Sequence, residues 1–294
     1  MTVPVRLGLF LFGVVAAAGI GAAAGALVPD QSGAGVGADD AADMGHDDAP
    51  GHDPAAVPGD AGRLGLHVAA GGYRLAMDPR SAGGATGIQF TILGADGDPV
   101  REFTEENQAL LHLIVVRRDL SGFQHLHPVL DAASGTWSTP VRLDRAGTWR
   151  LIVDAVAADR DEPTPVVLGA DIEVAGEFAP APRAAAGDRA AVDGYELTLV
   201  DPPTTDPGLP VVVTVERDGV PAEDLEPYLG NAGHLVALRA GDVAYVHLHA
   251  DAPTGGPELR FAGGLPSAGS YRLFVQFAHR GEVHTADFTV EVSS

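Results

Sequence analysis

The chain has 294 residues, enough for two domains of ordinary size, and 46% of them are apolar, which excludes a wholly disordered protein. Its 40 acidic residues outnumber its 18 Lys and Arg, and a surface with a net charge of −22 repels the phosphates of nucleic acids. The sequence contains no cysteine, which excludes disulfides, iron–sulfur ligation, thiolate catalysis and a blue-copper centre.

Residues 1–28 contain an uncharged run from Leu7 to Val28 that is preceded by Arg6. The run is long enough to cross a bilayer as a helix. Because the positive charge precedes the run and an acidic segment follows it, the positive-inside rule predicts a single-pass protein of the cell membrane. Its N-terminus is then inside and its domains are outside. The small residues 24–26 also fit a signal-peptide cleavage site, so secretion after cleavage is the alternative.

Two segments rich in Gly, Ala, Pro or Asp are typical of spacers. The first contains His46 and His52, which could hold a metal weakly, although a solvated spacer is the simpler interpretation. The sequence therefore divides into an anchor or signal (1–28), a flexible acidic stalk (29–62), a first repeat (63–176), a linker (177–189) and a second repeat (190–294).

Outside these segments the chain consists of short apolar runs broken by Gly, Pro and Asp. Examples are residues 87–92, 110–116, 149–153 and 211–215. The runs are rich in β-branched residues, and no long stretch has the 3.6-residue apolar period of a helix. The pattern predicts an all-β protein.

The two halves repeat one another without a gap from Gly72 to Leu151. Every matched pair is 122 positions apart. Such a constant offset indicates an internal duplication, and several short strands per unit predict two tandem β-sandwich domains. The matched pairs include His112 with His234, Arg117 with Arg239, His125 with His247, and His127 with His249.

Each repeat carries three histidines in the spacing His-x12-His-x-His. Side chains alternate along a strand, so the two histidines of His-x-His share one face. A hairpin register centred on a two-residue turn places His112 opposite His125, and His234 opposite His247. Three imidazoles then converge in each repeat, and such a set suits Zn(II) or Cu(II). The predicted ligands are His112, His125 and His127 in the first repeat, and His234, His247 and His249 in the second.

The second repeat has two further histidines, His279 and His284, beside the predicted hairpin turn Arg280-Gly281. If His284 reaches the patch, the second repeat has four nitrogens in a closed tetrahedral set, so His284 is also a candidate ligand. In the alternative, all these histidines are hydrogen-bonded residues of a core or rim. The chain is then a structural or protein-interaction module of the cell envelope that binds no metal.

Signs of catalysis are few. The sequence has no Gly-x-Ser-x-Gly elbow, no phosphate-binding loop and no His-Glu-x-x-His motif. An open three-histidine site could activate water. His-x-His on a sandwich is similar to copper–zinc superoxide dismutase, but that family has a longer, single barrel with more ligands. We therefore expect no enzyme, no catalytic residues and no organic cofactor.

Residues 147–151 and 269–273 both read Gly-x-aromatic-Arg-Leu. With these segments and its His-x-His pairs, the chain resembles exported bacterial β-sandwich proteins that carry histidines, of the cupredoxin-like, copper-resistance type. The resemblance implies two immunoglobulin-like or cupredoxin-like sandwiches after an N-terminal transmembrane helix. It also implies extracytoplasmic binding or buffering of a heavy metal, copper or zinc. In cupredoxins a cysteine ligand follows the aromatic residue, whereas this chain has Leu and Val there, which argues against a blue-copper site.

Overall fold

The computed structural model of the protein describes residues 63–78, 87–250 and 256–293. The predicted anchor and stalk lie outside this part of the chain. The described residues all belong to one compact unit, His52–Ser294. Their regular elements are β-strands, and no helix among them is long and apolar enough to cross a membrane. The prediction of an all-β protein is confirmed.

The first repeat is a sandwich of two sheets. One sheet has the strand order β1-β2-β3-β8-β7, and the other has the order β10-β9-β5-β6 with β4 beside β9. The strands are β1 (Ala69–Ala70), β2 (Tyr73–Met77), β3 (Gly87–Leu93), β4 (Phe103–Thr104), β5 (Leu111–Arg117), β6 (Gln124–Leu126), β7 (Val129–Asp131), β8 (Thr136–Pro140), β9 (Gly147–Ala157) and β10 (Thr164–Val174).

The second repeat has the same arrangement, which confirms the prediction of two tandem sandwiches. Its sheets have the orders β11-β12-β13-β14, with β17 beside β13, and β16-β15-β18-β19. The strands are β11 (Arg189–Val192), β12 (Tyr195–Asp201), β13 (Val211–Arg217), β14 (Val220–Pro221), β15 (His234–Arg239), β16 (Tyr245–His249), β17 (Glu258–Phe261), β18 (Gly269–His279) and β19 (Glu282–Val292).

The constant offset of the repeats ends after β9 and β18. In the second repeat Arg280 and Gly281 alone make the turn between β18 and β19, and both have positive φ angles, 56° and 75°. This is the backbone of a tight two-residue hairpin turn, as predicted. The first repeat uses residues 158–163 for the same connection. The last strands of the two repeats are therefore not equivalent at the predicted offset of 122.

Each sandwich has its own apolar core, and a third cluster joins the two sandwiches. The third cluster contains residues from both repeats, among them Ile114, Val236 and Phe274. Phe123 of the first repeat stacks on Phe274 of the second with ring centroids 3.9 Å apart. The outer faces of the β5–β9 and β15–β18 sheets therefore pack against each other.

This packing explains why β5 is buried on both faces. Its residues Leu111, Leu113 and Val115 enter the core of the first repeat, whereas Ile114 and Val116 enter the third cluster. Because side chains alternate, His112 shares the face of Ile114 and Val116 and points toward the second repeat. Strand β15 follows the same pattern, with its apolar residues divided between the second core and the third cluster.

The segment between the repeats is fastened to the first sandwich. The Arg117 guanidinium is 1% exposed and donates hydrogen bonds to the carbonyl oxygens of Ala146 and Ala179. It also lies over the ring of Phe178, 4.5 Å from its centroid. The Asp119 carboxylate accepts a hydrogen bond from the amide of Ala181. The chain thus leaves the first repeat along a defined path.

Candidate metal centre

The hairpins that carry the histidines have a different register from the predicted one. His234 pairs with His249, and Val236 pairs with His247. In the first repeat Ile114 pairs with His125, which sets His112 opposite His127. The predicted oppositions of His234 with His247 and of His112 with His125 are therefore wrong.

The reason for the difference is the length of the turn. The amide of Arg239 donates to the carbonyl of Ala244, so residues 240–243 form a loop of four rather than a turn of two. Val243 adopts a positive φ of 62° to close this loop. The register moves by two residues as a result. A shift of two keeps every side chain on its face, so the histidines still converge.

The structure joins the two predicted triads into one cluster between the repeats. The rings of His112 and His247 have centroids 5.1 Å apart, and those of His125 and His234 are 5.7 Å apart. One ligand nitrogen from each of these four histidines lies within 4.8 Å of the other three. The expectation of a separate site in each repeat is thus corrected: each repeat contributes half of one site.

Within each repeat, two of these four histidines face each other nitrogen to nitrogen. His112 Nδ1 lies 3.0 Å from His125 Nε2, and His234 Nδ1 lies 3.1 Å from His247 Nε2. The same atoms of equivalent residues meet in both halves, so the two half-sites have the same internal arrangement.

The outer nitrogens of the first pair contact oxygen atoms that accept hydrogen bonds. Gln276 donates through Nε2 to Thr285, which leaves its Oε1 as acceptor for His125 Nδ1 at 2.6 Å. His112 Nε2 lies 3.3 Å from the carbonyl oxygen of Glu106. If both outer nitrogens carry protons, the two inner nitrogens are bare and face each other at 3.0 Å. Two lone pairs at this distance repel unless a proton or a metal cation lies between them.

The second pair has a carboxylate in place of the amide. Asp154 Oδ2 lies 3.7 Å from His247 Nδ1 and accepts a hydrogen bond of 2.8 Å from the Tyr245 hydroxyl. His234 is fully buried, and its Nε2 has no hydrogen-bond partner among the described residues. Sequence reasoning missed Asp154, although an acidic residue inside the apolar run of β9 was a signal for it.

The remaining two histidines lie on the outside of the cluster. The rings of His127 and His112 have centroids 5.0 Å apart, and those of His249 and His247 are 4.4 Å apart. Asn107 donates to His249 Nε2 at 3.0 Å, while its own Oδ1 accepts from Asn231. His127 Nε2 is buried and has no such partner within the described ranges. All six predicted histidines of the two triads are therefore brought together.

Burial lowers the pKa of every imidazole in the cluster, because the charged form loses its water. The pKa falls to about 3 for His125 and to about 4 for His127 and His249. The same cause lowers the pKa of His112, His234 and His247. All six rings are thus neutral at pH 7, which is the form that binds a metal.

His284 does not join the cluster, contrary to the prediction. It pairs with Phe277, which belongs to the core of the second sandwich, and paired residues share a face. The cluster lies on the opposite face of that sheet. His284 Nδ1 contacts the Asp193 carboxylate at 2.9 Å, and His279 Nδ1 contacts the Tyr195 hydroxyl at 2.8 Å.

Comparison with solved structures found low similarities. Adhesin InvE of Yersinia pseudotuberculosis is 13% identical, with a TM-score of 0.23, over 80% of this chain and 62% of that chain. The FN1–FN3 domains of chicken CNTN1 are 11% identical, with a TM-score of 0.20, over 72% and 65%. A putative membrane anchored protein from Corynebacterium diphtheriae is 12% identical, with a TM-score of 0.22, over 76% and 59%. The chain spans less than two thirds of each structure, and similarities this low indicate no function.

No curated protein matches the chain. A family model described as "Domain of unknown function (DUF8832)" matches residues 68–171 and again residues 190–294. The matching model is not one of a cupredoxin or copper-resistance family, so the comparisons support the resemblance only as far as the β-sandwich. The match indicates no enzyme class. Because the two matches cover both sandwiches and most of the chain, the protein belongs to the DUF8832 family and contains two copies of its domain.

Proposed function

We propose that the protein binds one heavy-metal ion, copper or zinc, between its two repeats. The observation that carries the proposal is the set of four nitrogens from His112, His125, His234 and His247, all within 4.8 Å of one another. Imidazole nitrogen is a common ligand of both Zn(II) and Cu(II). In this role the ion is held outside the cytoplasm, as follows if residues 1–28 are the predicted anchor or signal.

The spacing of the nitrogens supports this proposal. Two nitrogens bound tetrahedrally to one ion at ~2.0–2.1 Å lie ~3.3 Å apart. The pairs within each repeat are spaced at 3.0 and 3.1 Å. The ligand nitrogens of different repeats lie within 4.8 Å of one another, and the longer of these distances must shorten for one ion to bind all four. An ion at this place also removes the repulsion between the facing lone pairs.

A second candidate is a structural or protein-interaction module of the cell envelope without a metal. The observation that favours it is the third apolar cluster, which already holds the repeats together without an ion. In this alternative the histidines form a hydrogen-bonded polar network that fixes how the repeats dock. The network then serves fold specificity, and the protein acts by presenting its outer surfaces to a partner.

Metal content and titration decide between these two functions. We expect the full chain, after chelator treatment, to bind one Zn(II) or Cu(II) in calorimetry. Replacing both His112 and His234 by alanine should abolish this binding, whereas His284→Ala should leave it unchanged. X-ray absorption of the loaded protein should show a nitrogen shell at ~2.0–2.1 Å. If the double variant binds as the unaltered chain does, the ion is held elsewhere and these histidines are not its ligands. If the unaltered chain binds no ion, the metal-free alternative stands.

A further inference from the structure

Asp154 and Gln276 occupy equivalent positions in the two repeats, both beside the histidine cluster, but only Asp154 is acidic. Asp154 in β9 and Gln276 in β18 lie opposite equivalent histidines of the neighbouring strands, His112 and His234. Their side chains reach across the interface in the opposite direction. Gln276 contacts His125 of the first repeat, and Asp154 lies near His247 of the second repeat. Each repeat thus supports a histidine of the other.

We propose that Asp154 is a positioning residue that balances the charge of the bound ion and makes the site favour a divalent over a monovalent cation. The inference rests on the proposed function, since it concerns the ion at the same four histidines. Gln276 orients its histidine in the same way but adds no charge. Comparison of Asp154 with Gln276 therefore separates the effect of orienting a histidine from the effect of adding a negative charge.

The geometry of Asp154 supports the positioning part of this role. Its Oδ2 accepts from Tyr245, whose hydroxyl fixes the carboxylate, and lies 3.7 Å from His247 Nδ1. A carboxylate beside Nδ1 favours the proton on that nitrogen, which leaves Nε2, the atom that faces His234, as the ligand for the ion. Tyr245 itself is 2% exposed, so the group that holds the carboxylate is shielded from water.

The effect of the Asp154 charge can be distinguished from its effect on orientation by comparing ions of different charge. The Coulomb energy between a carboxylate and an ion is proportional to the charge of the ion, so a divalent cation gains twice as much as a monovalent one. Loss of the carboxylate should therefore reduce the affinity for Zn(II) by about 30-fold, within the range usual for groups that support metal ligands. The affinity for Ag(I) should fall by only about 5-fold, because half the Coulomb energy corresponds to the square root of that factor. Loss of orientation alone reduces both affinities by the same factor.

The experiment compares Asp154→Asn and Gln276→Glu in the full chain, with Asp201→Asn as a control. Asp201 is exposed and lies on the sheet of the second repeat that does not carry the cluster, so its neutralisation reports the effect of net charge alone. Dissociation constants for Zn(II) and Ag(I) are measured by calorimetry on chelator-treated protein. We expect Asp154→Asn to weaken Zn(II) more than Ag(I), Gln276→Glu to strengthen Zn(II) more than Ag(I), and the control to change neither.

The outcomes distinguish this inference from the proposed function. Equal changes for the two ions in both variants would overturn the role of Asp154 in charge balance while leaving the metal site in place. Absence of binding by the unaltered chain would overturn the proposed function and this inference with it. If Asp154→Asn does not fold, as judged by circular dichroism, Gln276→Glu decides alone, because a gain that is larger for Zn(II) is expected only from added charge.

Discussion

The buried histidines of the cluster have fewer N–H protons than they have hydrogen-bond contacts. The four inner rings are neutral and are paired nitrogen to nitrogen within each repeat. A neutral imidazole has one proton for two nitrogens, so the pair formed by His112 and His125 has two protons for three contacts. At the scale of the residue, the cluster therefore either accepts an added cation or leaves one contact unsatisfied.

The metal-free protein should lose stability as the pH falls below about 6.5, the pKa of histidine in the unfolded chain. The pKa of His125 is about 3 and that of His127 is about 4 in the folded protein, so between these values the unfolded chain binds more protons. The unfolded state is then favoured, by up to about 2 kcal/mol for each such histidine at pH 5. Above pH 6.5 this contribution is constant.

Urea unfolding of chelator-treated protein at pH 7.5 and pH 5.0 measures this loss. The double variant His127→Ala, His249→Ala should lose less stability between the two pH values than the unaltered chain does. An unfolding free energy that is the same at both pH values would show that these imidazoles are protonated in the folded state as readily as in the unfolded one.

At the scale of the element, the turns of the two repeats set the register and length of their hairpins. The turn at Arg280 and Gly281 needs positive φ at both positions, which Gly adopts freely and Arg does not. Asn tolerates this conformation much better than other residues with a side chain. The exposed arginine is thus strained at the first position of the turn.

Replacing Arg280 by Asn should therefore stabilise the protein by about 0.5–1 kcal/mol. The matched control is Arg280→Ala, which removes the same charge but keeps a side chain unsuited to positive φ. Thermal unfolding of the two variants at neutral pH measures the difference. If alanine stabilised as much as asparagine, the effect would come from the lost charge and not from the turn.

The strands were predictable because alternation and duplication are both visible along the chain. The run 110–116 indicated a buried strand, and the offset of 122 placed its counterpart in the second repeat. The hairpin register was not predictable, because Val243 adopts a positive φ that its β-branched side chain ordinarily avoids. The union of the two triads was also missed. It depends on the outer faces of β5 and β15 packing together, and a strand buried on both faces indicates a second neighbour without identifying it.

At the scale of the whole molecule, the interface between the repeats has an apolar part and a histidine part. The apolar part includes the stacked rings of Phe123 and Phe274. The histidine part gains its geometry from this packing, because two of its four inner ligands come from each repeat. Docking of the repeats and assembly of the site are therefore one process.

Phe274→Ala should weaken metal binding although Phe274 is not a ligand. Removal of a buried phenylalanine costs about 3–5 kcal/mol, and here the loss falls on the interface that aligns the two half-sites. Phe90→Ala is the control, since Phe90 lies in the core of the first sandwich away from the second repeat. Calorimetry at a temperature where both variants are folded should show reduced Zn(II) affinity for Phe274→Ala alone. Equal reductions would mean that general destabilisation, and not docking, lowers the affinity.

The fastened segment after the first repeat affects how the metal site responds to dilution of the protein. Two half-sites on separate molecules would meet at a rate and extent set by protein concentration. Two half-sites on one chain meet at an effective concentration that is typically in the millimolar range for short connections, whatever the concentration of the protein. Because Arg117 and Asp119 hold the path of the chain at Ala179 and Ala181, the complete set of ligands should persist in a single, highly diluted molecule.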